Sequence, residues 1–324
     1  MEETSPRLLS FDPKQEPSVL RHASTVVVVR EGATHLEVFC VLRHAKSSFL
    51  GGAVVFPGGK VDAADAAEVW AAQATTPHPR TERMTTPFGG AAGGPPVTAR
   101  ALAVAACRET LEEAGIVPLV GDGAQASEPS RVDIAKLRAE LAQTPGSLAQ
   151  ALARSGQRLA LDALVPWARW VTPQAESRRF DARFFLLELP AFQEGRHDEH
   201  ETTMSFWARP SAVLDRFMRG EIFLAPPTTR TLELLATVDS VKGAYALADA
   251  QSLLPVCPEF VAAEAPFLAL PGDPAHSVRE RRVEGPTRFV LRDGRFVGED
   301  PPADDGGAPV EPGASPMPGR DRED

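Results

Sequence analysis

Residues 101–115, ALAVAACRETLEEAG, constrain the fold more than any other stretch. At about 100° per residue, Val104, Cys107, Leu111 and Ala114 line one side of a helix with i, i+3, i+7 spacing. Glu109, Glu112 and Glu113 share about a third of the circumference on the other side, beside Arg108. Such a helix must lay its apolar stripe on a sheet or on other helices, and Gly115 suits its C-terminal cap. Three crowded carboxylates repel one another, more strongly when partly buried. A hard divalent cation with oxygen ligands removes that penalty. A solvated acidic face is the alternative that such a pattern leaves open.

The rest of the chain supplies a sheet for this helix. Residues 24–30, STVVVVR, and 36–43, LEVFCVLR, read as strands joined by the turn EGAT. Residues 181–189 and 202–208 read as further strands, with short ones near 159–161 and 167–172. Helices are expected over 63–73, 131–142, 147–154, 210–220 and 228–238. The loop FLGGAVVFPGGKVD precedes the first of these. Residues 74–98, rich in Thr, Pro and Gly, read as a flexible surface insertion. Asp293-Gly294 within TRFVLRDGRFV marks a hairpin, and residues 298–324 carry the composition of a disordered tail.

Composition excludes several classes. A net charge of −10 disfavours a general nucleic-acid binder and requires local cations for any anionic substrate. Cys40, Cys107 and Cys257 form no CxxC pair, so neither a zinc site nor a disulfide framework is expected, which points to a reducing, cytoplasmic setting. No apolar run is long enough for a membrane span, and the first residues do not read as a signal peptide.

FPGGK at 56–60 followed by RETLEEAGI at 108–116 resembles the Nudix box, Gly-x5-Glu-x7-Arg-Glu-U-x-Glu-Glu-x-Gly-U, where U is a bulky aliphatic. Thr110 stands where an aliphatic is usual. Counting from Gly58, the pattern wants Glu at 64 and Arg at 72. Ala64 stands at the first position, and the arginine comes 36 residues late, at 108. A box split in this way is similar to that of the peroxisomal coenzyme A diphosphatase-like Nudix proteins and their bacterial relatives. VLRHAKSSFLGGAVVFPGG at 41–59 is similar to the segment before the box in members that cleave coenzyme A, with His44 and Ser48 departing from the stricter signature. WVTP at 170–173, RRFDARFF at 178–185 and Glu201 to Trp207 also resemble this branch.

The resemblance implies an α/β fold: a Nudix-type α/β/α sandwich with a mixed sheet over residues 21–240, the box helix at its edge. An N-terminal lead (1–20) and a C-terminal extension (241–297) would flank it. It implies hydrolysis of a diphosphate bond in a small-molecule nucleoside diphosphate derivative, coenzyme A or acyl-coenzyme A first, a dinucleotide or sugar nucleotide second. Glu109, Glu112, Glu113 and the Gly59 carbonyl would hold Mg²⁺ or Mn²⁺, and Arg108 would orient Glu109. Glu201, with Glu199 as runner-up, would be a distal catalytic carboxylate. HDEHE at 197–201 lacks helical His spacing and reads otherwise as solvated charge. Gly58, Arg43, Arg178 and Arg179 are candidate substrate contacts, although a strand-end salt bridge suits the arginines equally well. The three cysteines and Trp167, Trp170 and Trp207 read as packing residues. A non-catalytic ligand sensor is the rival reading; such proteins tend to lose the acidic triad that this chain keeps.

Overall fold

Four consecutive valines set the layering. In an extended strand neighbouring side chains point to opposite faces, and here Val26 and Val28 enter one core while Val27 and Val29 enter another. Phe39 and Val41 alternate with Val38 and Cys40, and Phe185 and Leu187 with Phe184 and Leu186, in the same way. A strand buried on both faces needs helices or a second sheet on each side, which yields a three-layer sandwich.

The computed structural model describes residues 18–44, 51–89, 95–121, 132–197 and 202–302. Its strands are β1 (Arg21–Glu31), β2 (Leu36–Arg43), β3 (Val54–Val55), β4 (Gly58–Lys60), β5 (Leu119–Gly121), β6 (Gln157–Leu159), β7 (Val165–Val171), β8 (Phe180–Glu188), β9 (Thr202–Ala208), β10 (Glu259–Val261), β11 (Phe267–Ala269), β12 (Arg288–Arg292) and β13 (Arg295–Glu299). The helices are α1 (Trp70–Gln73), α2 (Ala99–Ala114), α3 (Ile134–Gln143), α4 (Leu148–Arg154), α5 (Pro210–Met218), α6 (Pro226–Leu235) and α7 (Val241–Ala250). The main sheet runs β3-β2-β1-β8-β7, with β4 on β1 and β9 on β2; β1 and β8 are parallel and the other pairs antiparallel. The expected mixed sheet between helices is therefore present.

The box helix α2 lies over central β1 rather than at the sheet's edge. Its alanines at 101, 103, 105 and 106 are buried, and small side chains let the helix approach closely. Ser24 on β1 donates to the Leu102 carbonyl at 2.7 Å, a buried bond that fixes this contact. Thr98 caps the start by accepting from Ala101 N, and Gly115 ends the helix with φ 62°, the left-handed cap expected of it. Thr110, in the aliphatic position, is buried and returns its hydroxyl to the Ala106 carbonyl at 2.7 Å.

Several expectations are corrected. The loop around FPGGK contains strands β3 and β4. The helix expected over 63–73 breaks at Ala67 into a 3₁₀ turn, Ala63–Ala66, and short α1. The described part of the insertion is not a free surface segment. Thr81 and Met84 are buried, Arg80 donates to the Ala248 and Gln251 carbonyls, Arg183 to the Met84 carbonyl, and His22 bonds the Pro95 carbonyl. Trimming 75–97 would take these partners from Arg183 and His22, and Arg80 from the Ala248 and Gln251 carbonyls.

The C-terminal extension also packs. Strands β10–β13 form a second sheet against the face of the main sheet that carries α5, α6 and α7. The β12–β13 hairpin turns at Asp293 (φ 47°) and Gly294 (φ 74°), as the Asp-Gly pair predicts. Of the expected disordered tail, residues 303–324 lie outside the described residues. Among the described residues no helix is long and apolar enough to cross a membrane. Trp167 and Trp170 are core residues, as are Cys40 and Cys107, whose thiols burial pushes well above their ordinary value.

Candidate active site

Strand β4 carries Gly58 and Gly59 alongside Thr25 and Ser24 of β1, directly beneath the C-terminal half of α2. Space requires the glycine at 58, and the glycine at 59 leaves room for an acidic side chain. A Cβ at Gly58 would strike the Ser24 carbonyl and the Thr25 backbone. A Cβ at Gly59 would fall on the Glu109 carboxylate. The sequence-expected meeting of the glycine loop with the acidic helix is thus built, with Glu109 resting on the Gly59 backbone.

Arg108 is the hub. Its Nη1 donates to Glu109 Oε1 at 2.8 Å and to Glu112 Oε2 at 3.1 Å. Its Nη2 donates to the Lys60 carbonyl at 2.9 Å. Its remaining donors go to Asp65, Nε to Oδ1 at 2.8 Å and Nη2 to Oδ2 at 2.9 Å. All the guanidinium's N–H groups are engaged, so the side chain is held as a fixed fork. Glu113, almost fully buried, accepts from Gly58 N at 2.9 Å and lies 3.9 Å from Arg43 Nη1.

Asp65 is the residue that sequence reasoning missed. The box pattern wants an acid at 64, where Ala64 stands; the acid comes one residue later and is 1% exposed. The 3₁₀ turn carries it to Arg108, and its Oδ2 also accepts from Asp62 N at 2.8 Å. An acid one position off the pattern, at the start of a turn, was the available signal.

The charge balance defines what the site can do. Counting Asp62 at 3.6 Å from Arg108, five carboxylates face two guanidinium groups, Arg108 and Arg43. Burial pushes the Glu109 carboxyl up to about 7; Arg108 works against this, while Glu112 and Asp65 add to it. Among the described residues no three acidic, imidazole or thiol groups already converge as a metal cage. Glu109 and Glu112 are turned onto Arg108 instead. The donor set nonetheless fits a hard divalent cation: excess negative charge, oxygen donors only, and a backbone cradle at Gly59 that a side chain would fill.

The other candidates divide. Arg43 is at the site, and its buried Nε has no hydrogen-bond partner among the described residues. Arg179 is buried, with its guanidinium on the Thr172 and Ser18 carbonyls, which corrects its reading as an open phosphate clamp. Arg178 is exposed on the β7–β8 turn. Glu199 and Glu201 lie outside the described residues, as does Ser48. Trp207 is half-buried against Phe39 beneath the Arg30 guanidinium, a packing role.

Comparison with known proteins agrees with this architecture. The NUDT19 Nudix domain model matches residues 17–235. Over 279 residues the chain is 29% identical to the acyl-coenzyme A diphosphatase NUDT19 of Gallus gallus, spanning 75% of this chain and 73% of that protein. The Homo sapiens protein of the same name is 28% identical over 266 residues, spanning 71% and 70%. A solved NUDIX hydrolase from Alicyclobacillus acidocaldarius is 30% identical, with a TM-score of 0.58 over 70% of this chain and 96% of that one. The chain therefore belongs to the Nudix hydrolase family, in the branch defined by the NUDT19 Nudix domain.

Proposed function

We propose that this Nudix hydrolase cleaves the diphosphate of coenzyme A or an acyl-coenzyme A thioester, where the glycine loop meets α2. One observation carries the placement: the Glu109 carboxylate sits on the Gly59 backbone while Arg108 holds it from the other side. The names of the relatives support the substrate class.

Glu109, Glu112, Glu113 and the Gly59 carbonyl would hold Mg²⁺ or Mn²⁺. The bound cation supplies charge neutralisation on the diphosphate and lowers the pKa of an attacking water. Arg108 fixes the direction of Glu109, and Asp65 in turn fixes Arg108. Arg43 stands beside Glu113 with a spare buried N–H, a donor suited to a substrate phosphate oxygen. Gly58 keeps the loop against β1 so that its N–H can hold Glu113. Glu201, or failing it Glu199, serves as the distal carboxylate. Free thiols at Cys40, Cys107 and Cys257 support placing the enzyme in a reducing compartment such as the cytosol.

The test is a panel of coenzyme A, an acyl-coenzyme A, a dinucleotide and a sugar nucleotide with Mg²⁺ or Mn²⁺. The expected result is splitting of coenzyme A compounds at the diphosphate into a phosphopantetheine half and an adenosine bisphosphate half, faster than any other substrate. A preference for the dinucleotide or sugar nucleotide would move the substrate class. Full turnover by Glu113→Gln across the panel would refute the site.

A further inference from the structure

The last four carbonyls of a helix have no partner within it. In α2 they belong to Leu111, Glu112, Glu113 and Ala114, the turn that carries two of the candidate metal-holding carboxylates. Gly115 N takes the Leu111 carbonyl at 3.0 Å, and Arg196 N takes that of Ala114 at 2.7 Å. The two between them go to one side chain on another helix. Arg138 of α3 donates Nε to the Glu112 carbonyl at 2.9 Å and Nη2 to the Glu113 carbonyl at 3.3 Å. Its Nη1 donates to the Arg196 carbonyl at 3.0 Å.

We propose that Arg138 is a positioning residue for the catalytic centre: it locks the backbone of Glu112 and Glu113 and so presets their carboxylates for a divalent cation. This rests on the reading that those carboxylates hold the cation. Three features support the role. Arg138 stands on a helix whose own apolar side chains, Leu137 and Leu141, hold it in the core that α2 also enters. Its cation sits at the negative end of the α2 dipole, within a turn of the carboxylates, where positive charge offsets their mutual repulsion. Its third bond closes a clasp with the 190–197 loop, which Gln193 already stitches to α2's exit. The Gln193 amide accepts from Val117 N at 3.0 Å and donates to the Val117 carbonyl at 2.8 Å.

A merely structural cap is available as a control in the same molecule. Arg80 donates to the Ala248 and Gln251 carbonyls at 2.8 and 2.9 Å and so caps α7, away from the carboxylates. The experiment is Mn²⁺ binding, followed by electron paramagnetic resonance of free Mn²⁺, on wild type, Arg138→Gln, Arg138→Lys and Arg80→Gln. Arg138→Gln is expected to weaken Mn²⁺ binding about tenfold, the lower range for groups that orient metal ligands. Arg138→Lys should recover part of the loss by restoring charge without the fork, and Arg80→Gln should bind as wild type does. If Arg138→Gln fails to fold, the lysine variant carries the test, and wild-type affinity in it overturns the proposal. Equal affinities for Arg138→Gln and Arg80→Gln overturn it while leaving the cation reading intact. A wild-type protein that binds no Mn²⁺ removes that reading and this inference together.

Discussion

Around Arg108, five carboxylates face two guanidinium groups; around Asp181, two guanidinium groups face one carboxylate. The first is buried at Arg108, Asp65 and Glu113 and opens to solvent at Asp62 and Glu112, whereas the second is buried throughout. Arg169 grips Asp181 with bonds of 2.9 and 2.7 Å, Arg183 Nη2 lies 3.0 Å from the same carboxylate, and the three side chains are at most 2% exposed. Both also shift ionisation. Burial pushes Glu109 up to about 7 in the first, and pulls Arg183 down to about 10 in the second, where Arg169 adds to the effect. Perturbed ionisation alone therefore does not separate a reactive site from a strut. The sign of the residual charge does. The Arg108 cluster has negative charge to spare and a glycine backbone beside it. The Asp181 cluster has spare positive charge, spent on the Met84 carbonyl and on His22, and those contacts clamp the insertion.

The sharpest way to break this comparison is to remove a carboxylate from each cluster. Glu109→Gln should lower kcat/KM by about 10²–10³-fold, the range for loss of one group that stabilises transition-state charge, while the thermal midpoint without metal holds or rises because repulsion is relieved. Steady-state kinetics beside a melting curve read both. A variant that melts earlier but turns over normally would make the Arg108 cluster a strut. Asp181→Ala should do the reverse. It leaves two arginines buried without their counter-charge, and urea unfolding should show a loss of about 3–5 kcal/mol. A loss below about 1 kcal/mol would mean that the arginines find other partners.

Asp65→Asn lies between these extremes. It keeps the shape but weakens both bonds to Arg108, so stability should fall by about 1–3 kcal/mol and turnover should drop with it, because Arg108 loses the partner that aims it. Asp65→Glu should not repair this, since the longer side chain cannot fit a site that is 1% exposed. Turnover unchanged in the asparagine variant would show that Lys60 and the two glutamates hold Arg108 unaided.

How far each cluster was legible in the sequence follows from the same physics. The acidic helix was legible because its spacing is periodic and its cap is a glycine. The sheet was legible where apolar runs were long, as in β1, β2 and β8. Asp65 was not, because the chain reaches Arg108 through a 3₁₀ turn that moves the acid one position off the expected pattern. The insertion was misjudged for a different reason. Its anchors are arginine and histidine side chains reaching backbone carbonyls at Met84, Pro95, Ala248 and Gln251, and backbone acceptors leave no trace in composition. Helix α7 escaped notice because its buried stripe is only Val241, Ala244 and Ala248, too small to stand out as a hydrophobic face. The Asp181 network was half-visible as charged residues on a strand, but nothing in the spacing shows that all of them point inward.

The smallest effect expected is also the one that ties the insertion to pH. His22 takes a bond from Arg183 Nη1 at Nδ1, 2.8 Å, and lies 2.7 Å from the Pro95 carbonyl at Nε2. Only the neutral ring with its proton on Nε2 satisfies both, since a proton on Nδ1 would face the arginine N–H. Burial, with Arg183 and Arg169 adding to it, lowers the His22 pKa below 6.5; Asp181 and the Pro95 bond work the other way. A histidine whose folded value lies below its unfolded one makes the unfolded chain the stronger proton binder. Its contribution is therefore complete above about 6.5 and is lost as pH falls through the folded value. His78, shifted in the same direction by burial and Arg80, adds a second slope of the same sign, so the measurement has to be a difference. Unfolding free energy followed from pH 7.5 to 5 should fall more steeply in wild type than in His22→Gln, which keeps an acceptor and a donor but cannot titrate. Parallel curves for the two proteins would mean that the ring is protonated without strain, and the Asp181 cluster would then hold the insertion independently of pH.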